Sequence, residues 1–142
     1  MTKKPNWATY TLMFGILLFI AAFFMPVLPP DDGTSMFGYD AAWVVLNLTG
    51  TESISDILFY LFLNFTNLSV ILMFILFFSK SKKWFLVFIP VLGFSGAIYW
   101  LFEEFDLEIG YWSWAISQAL ISAAFIFNLL SKRKKLLTSV PE

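Results

Sequence analysis

The placement of charge constrains this chain more than any other feature. Nine of its 142 residues are basic and ten are acidic, and the two signs alternate between hydrophobic runs. Lys3 and Lys4 precede the first run, Lys80, Lys82 and Lys83 separate the second from the third, and Lys132, Arg133, Lys134 and Lys135 follow the fourth. Asp31, Asp32, Asp40 and Glu52 lie between runs one and two, with Asp56 at the edge of the second. Glu103, Glu104, Asp106 and Glu108 fill the gap between runs three and four, and Glu142 alone breaks the alternation. Lys and Arg are held back on the cytoplasmic side during insertion, so this pattern predicts four transmembrane helices with both termini inside.

Composition points the same way. The chain is 59% hydrophobic and 13% charged, where a soluble domain is about 45–50% apolar and about 25% charged. The predicted spans are residues 7–28, 56–79, 84–102 and 111–130, and a span needs about 20 apolar residues to cross about 30 Å of hydrocarbon. The outer loops are then 29–55 and 103–110, the inner loop 80–83, and the cytoplasmic tails 1–6 and 131–142. Short connections make spans two, three and four antiparallel neighbours. The expected fold is an all-α membrane protein, a single antiparallel four-helix transmembrane bundle. Lys3 and Lys4 ahead of an apolar stretch resemble the start of a signal peptide, but the stretch is too long and no small-x-small site follows it. A retained anchor closed by Pro29 and Pro30 is the expectation. Trp7 and Trp84 fall at the predicted inner boundary, and Trp43, Trp100, Trp112 and Trp114 at the outer one, as interfacial belts require.

The first outer loop opens on the turn-forming Pro29-Pro30-Asp31-Asp32-Gly33. Met36–Leu48 is then apolar apart from Gly38, Asp40 and Asn47, and is too short to span a bilayer. Two readings stay open: an interfacial helix with Phe37, Ala41, Val44 and Leu48 as its apolar stripe, or a loop packed over the mouth of the bundle. Ser79-Lys80-Ser81-Lys82-Lys83 and Ser131-Lys132-Arg133-Lys134-Lys135 repeat one pattern. The span interiors carry no matching polar positions, so boundary chemistry explains the repetition better than internal duplication.

No charged residue lies deep in any span, which argues against charge-coupled transport. Asn64, Asn67, Ser95, Ser117 and Gln118 form a candidate polar layer within the spans. A carboxamide left unpaired in hydrocarbon costs several kcal/mol, so these groups should face inward and pair. Interhelical glue, with Asn64 or Asn67 bonding Gln118, is one reading. An outward-facing polar vestibule under an acidic rim of Asp31, Asp32, Asp40, Glu103, Glu104, Asp106 and Glu108 is the other. Gly93 and Ala97, like Ala115, Ala119 and Ala123, have the small-xxx-small spacing of close helix contacts, and Pro90 predicts a kink.

Gly93-Phe94-Ser95-Gly96 resembles the nucleophile motif of rhomboid intramembrane proteases. That chemistry needs a histidine base on another helix, and this chain has no His. Without Cys or His, thiolate and imidazole metal sites are also excluded. The acidic loops lack the spacing of a calcium loop, no cofactor is expected, and the basic runs beside spans suit lipid headgroups rather than nucleic acid. Abundant Phe, Ile, Lys and Asn with scarce Arg suit an AT-rich bacterial genome. In layout the chain resembles small four-span bacterial inner-membrane proteins of unknown role. The expectation is a non-enzymatic multi-pass inner-membrane protein, an accessory or scaffold subunit that contacts copies of itself or another membrane protein. The alternative is a small-molecule or cation transporter lined by the polar layer.

Overall fold

A computed structural model describes residues 6–28, 35–47, 53–79, 84–99 and 107–137. Among these the chain is helical apart from one short hairpin. The elements are α1 (Trp7–Ala22), β1 (Pro26–Leu28), β2 (Met36–Phe37), α2 (Gly38–Asn47), α3 (Ile54–Phe78), a 3-10 turn (Trp84–Val87), α4 (Phe88–Tyr99) and α5 (Ile109–Leu137). Tyr60–Phe78 of α3 and Ile109–Lys132 of α5 are long and apolar enough to cross a membrane. Helix α1, with 16 residues, and α4, with 12, are apolar but shorter.

Helix α5 is the hub, packing against α1, α3 and α4, while α3 and α4 also pack on each other. Matching residues give the directions. Asn67 meets Trp114 and Phe77 meets Asn128, so α3 and α5 run parallel. Gly15 approaches Ile121 while Gly110 approaches Pro26, so α1 is antiparallel to α5. Gly93 meets Ser69 and Gly96 meets Thr66, so α4 opposes α3.

Three departures from the predicted spans have local causes. Helix α1 stops at Ala22 and the chain turns at 23–25 into β1. Pro26 is responsible: it disfavours helical geometry at Met25 and has no N–H to continue the ladder. Pro29 and Pro30 come too late to end this helix, and the predicted span to residue 28 is too long. Pro90 does not lie in the interior of a long helix. It is the third residue of α4, in the first turn, where its missing N–H removes no helical hydrogen bond. Helix α5 continues to Leu137, through a stretch assigned to a tail. Lys, Arg and Leu are good helix formers, and Lys132 is held: its Nζ donates to the carbonyls of Phe77 and Ser79 at 2.7 Å each.

The segment 36–47 forms a hairpin strand followed by α2. Strand β2 pairs antiparallel with β1, Pro26 opposite Phe37 and Leu28 opposite Met36. The first amides of α2 then serve the turn after α1, Gly38 N–H donating to the Met25 carbonyl at 3.1 Å and Tyr39 N–H to that of Phe23 at 2.9 Å. This docking requires glycine at 38, because a Cβ there would stand 2.8 Å from the Phe23 Cα. Asp40 accepts from the Phe37 N–H at 3.4 Å, the reach-back half of a capping box. Of the predicted 37/41/44/48 apolar stripe, Ala41 lines a cavity beneath α2 and Leu48 lies outside the described residues. Val45 is the buried residue of α2, and Tyr39, Trp43 and Leu46 point outward.

Along its axis the assembly is layered. At the end marked by Lys132, Leu12, Val70, Met73, Phe77, Leu86, Ile121, Phe125 and Leu129 form an apolar cluster. Buried hydroxyls and a carboxamide occupy the middle, and a cavity lies at the end where α1 stops and α5 begins.

Candidate functional site

The middle layer is built where α3, α4 and α5 converge. Thr66, Ser69, Ser117 and Gln118 are each 0% exposed. Hydroxyls in a helix satisfy themselves by donating to carbonyls one turn back. Thr66 does so to Phe62 (3.0 Å), Ser69 to Thr66 (2.6 Å) and Ser117 to Trp114 (2.6 Å). Ser122 meets the Met73 sulfur at 3.8 Å. Two glycines let α4 press onto this surface. A Cβ at Gly93 would collide with the Ser69 side chain, and one at Gly96 would stand 3.0 Å from the Thr66 Cβ and closer still to its hydroxyl. The predicted Gly93/Ala97 contact is therefore carried by Gly93 and Gly96 against α3, while the Ala97 carbonyl takes the Tyr111 hydroxyl.

Each carboxamide finds a different partner. Asn64 Nδ2 donates to the Val45 carbonyl at 3.0 Å and so ties α2 to α3. Asn67 Oδ1 accepts from the Trp114 indole at 3.0 Å, linking α3 to α5. Gln118 Nε2 reaches the Thr66 carbonyl at 3.4 Å, while its Oε1 is buried with no partner. Neither asparagine bonds Gln118, which lies beside Thr66 on a different part of the interface. Ser95 donates back to the Leu92 carbonyl at 2.8 Å and stays half-buried, apart from the other four.

Beneath α2 is a cavity of about 100 Å³ with almost wholly apolar walls. Ala22 and Phe23 of α1, Ala41, Ala42 and Val45 of α2, and Leu63 of α3 contribute to its lining. Asn67, Tyr111 and Trp114 also line it, so Asn67 is the one candidate polar residue that reaches it.

Of the acidic rim, Asp40 caps α2 and Glu108 donates its backbone N–H to the Val27 carbonyl at 3.3 Å. Asp31, Asp32, Glu103, Glu104 and Asp106 lie outside the described residues, as do Lys3, Lys4, Lys80, Lys82 and Lys83. Among the described residues no group of three or more His, Cys, Asp or Glu could hold a metal ion. Sequence reading met Gly96 only as the last residue of the Gly93-Phe94-Ser95-Gly96 motif and gave Ala42 no role at a site. The signal for Gly96 was present, since it stands three residues from Gly93 on one helix. Ala42 becomes notable only once α2 is placed over the cavity. Comparisons with protein families, with curated proteins and with solved structures find no match to this chain.

Proposed function

We propose that this chain is a multi-pass membrane protein whose four apolar segments, the long α3 and α5 and the shorter α1 and 3-10 turn with α4, form an N-in, C-in bundle. The observation that carries this is an inverted surface. Phe14, Leu61 and Phe127 are 61%, 52% and 67% exposed, while Gln118 and Thr66 are fully buried. Comparable exposed Leu, Ile and Phe side chains occur on every one of these segments. Apolar patches beyond a few hundred Å² mark membrane or protein interfaces, and polar side chains facing inward are what hydrocarbon demands. The alternating directions of α1, α3, α4 and α5 and the charge alternation support the same topology, and the scarcity of Arg beside abundant Lys, Asn, Ile and Phe suits an AT-rich bacterial genome.

Within that frame we read the chain as an accessory or scaffold subunit that acts through helix contacts. Apart from Gln118 Oε1, the buried hydroxyls and carboxamides described above are engaged between helices or with their own backbone, and the cavity wall is almost wholly apolar. Of the five residues that would line a transport path, Asn67 alone lines the cavity. Extraction of a tagged copy in mild detergent, followed by mass spectrometry, tests this role. A stoichiometric second membrane protein is expected. Recovery of this chain with lipid alone would overturn the heteromeric reading.

A further inference from the structure

We propose that the cavity beneath α2 binds the hydrocarbon chain of a membrane phospholipid, an inference that rests on the membrane reading above. The space exists because its roof is anchored and its lining is small. Helix α2 is fixed at one end by Gly38 and Tyr39 amides on the Met25 and Phe23 carbonyls and farther along by Asn64 on the Val45 carbonyl. Between these anchors Ala41 and Ala42 are too short to fill the gap, and Ala22 opposite is equally small. Anchored walls cannot collapse onto such a void, so it stays open unless a ligand occupies it.

The chemistry of the wall selects hydrocarbon. The Trp114 indole N–H is taken by Asn67 and the Tyr111 hydroxyl by the Ala97 carbonyl, so neither donor asks for a polar ligand. Apolar cavities of about 150 Å³ stay dry and take up molecules the size of benzene. At about 100 Å³ this one suits a segment of an aliphatic chain and excludes a headgroup or a peptide. The roof identifies the source. Helix α2 turns Ala41, Ala42 and Val45 toward the cavity, while its other side carries Tyr39, Trp43 and Leu46, half or more exposed, together with the polar Asp40 and Asn47. A helix that mixes large apolar and polar side chains in this way lies at the headgroup boundary of a bilayer, where acyl chains are the most concentrated apolar molecules at the rim of the cavity.

Tryptophan quenching tests the proposal. Of the six tryptophans, one version of the full chain keeps Trp114, in the cavity wall, and another keeps the outward Trp112, the remainder being changed to Phe. Each is reconstituted in nanodiscs of phosphatidylcholine carrying bromine on its acyl chains. Trp114 should be quenched, should lose most of that quenching in Ala42→Phe, and should gain quenching in Leu63→Ala, which enlarges the space. Trp112 should be quenched equally in all three backgrounds. Trp114 quenching that is absent, or that follows neither substitution while Trp112 is quenched, overturns the lipid site and leaves the membrane reading standing. No quenching of Trp112 overturns the membrane reading and the site with it.

Discussion

Gln118 illustrates how a polar residue can be buried without strengthening the fold. Its Nε2 makes a long bond to the Thr66 carbonyl, which already accepts the Ser69 hydroxyl, and its Oε1 is unpaired. An unmade hydrogen bond costs about 1–3 kcal/mol, whereas an apolar group of the same shape is nearly neutral. Gln118→Met should therefore leave stability in detergent unchanged within about 1 kcal/mol or raise it. Asn67→Leu should lower it by about 1 kcal/mol, because the Trp114 indole loses its acceptor. Equal losses in both variants would contradict the assignment. Gly96 is the opposite case, a position where nothing can be added. Gly96→Val should destabilise by about 1–3 kcal/mol through overpacking against Thr66, whereas Ser95→Ala next to it should change little. Thermal unfolding of purified protein compares the two.

At the scale of elements, the ends of helices are set by partners distant in sequence. The carbonyls of Phe23 and Met25, in the turn that follows α1, are met by the first amides of α2, and the last carbonyls of α3 by Asn128 and Lys132 of α5. A cation at a helix C-terminus also complements its dipole, worth about 0.3–1 kcal/mol. Lys132→Met should thus speed hydrogen exchange in the last turn of α3 while leaving exchange around Thr66 unchanged. Uniform acceleration along α3 would show that Lys132 does not act as a local cap. These connections mark the limit of what was legible beforehand. The starts of α3 and α5 and the end of α3 fall within two residues of the hydrophobic boundaries, because apolar length is a local property. The end of α1 was missed because two successive prolines at 29 and 30 outweighed the single Pro26. The end of α5 was missed because a basic run reads as the edge of a span, although helix propensity carries on through it. The inward face of α2 turned on its docking against α3 and β1, a contact distant in sequence, and the 37/41/44/48 stripe did not mark Val45, the residue buried there. The polar layer was legible as a set of depths. Which group bonds which was not, since a helix rotation of some tens of degrees exchanges the partners.

At the scale of the whole molecule, polarity is layered along the axis and inverted across it. The apolar cluster, the polar middle and the cavity follow one another from the Lys132 end to the α2 end, while large apolar side chains cover the outside. A soluble protein would place those exposed Leu, Ile and Phe residues within and its hydroxyls without. The central claim is the membrane topology, and the absence of cysteine makes it directly measurable. Single cysteines at Thr2, Thr34, Ser81, Asp106 and Thr138 can each be probed in intact bacterial spheroplasts with a membrane-impermeant maleimide. Positions 34 and 106 should react at once, and positions 2, 81 and 138 only after the membrane is permeabilised. Labelling of 2, 81 or 138 from outside, or equal labelling of all five, would contradict the four-span, N-in and C-in account.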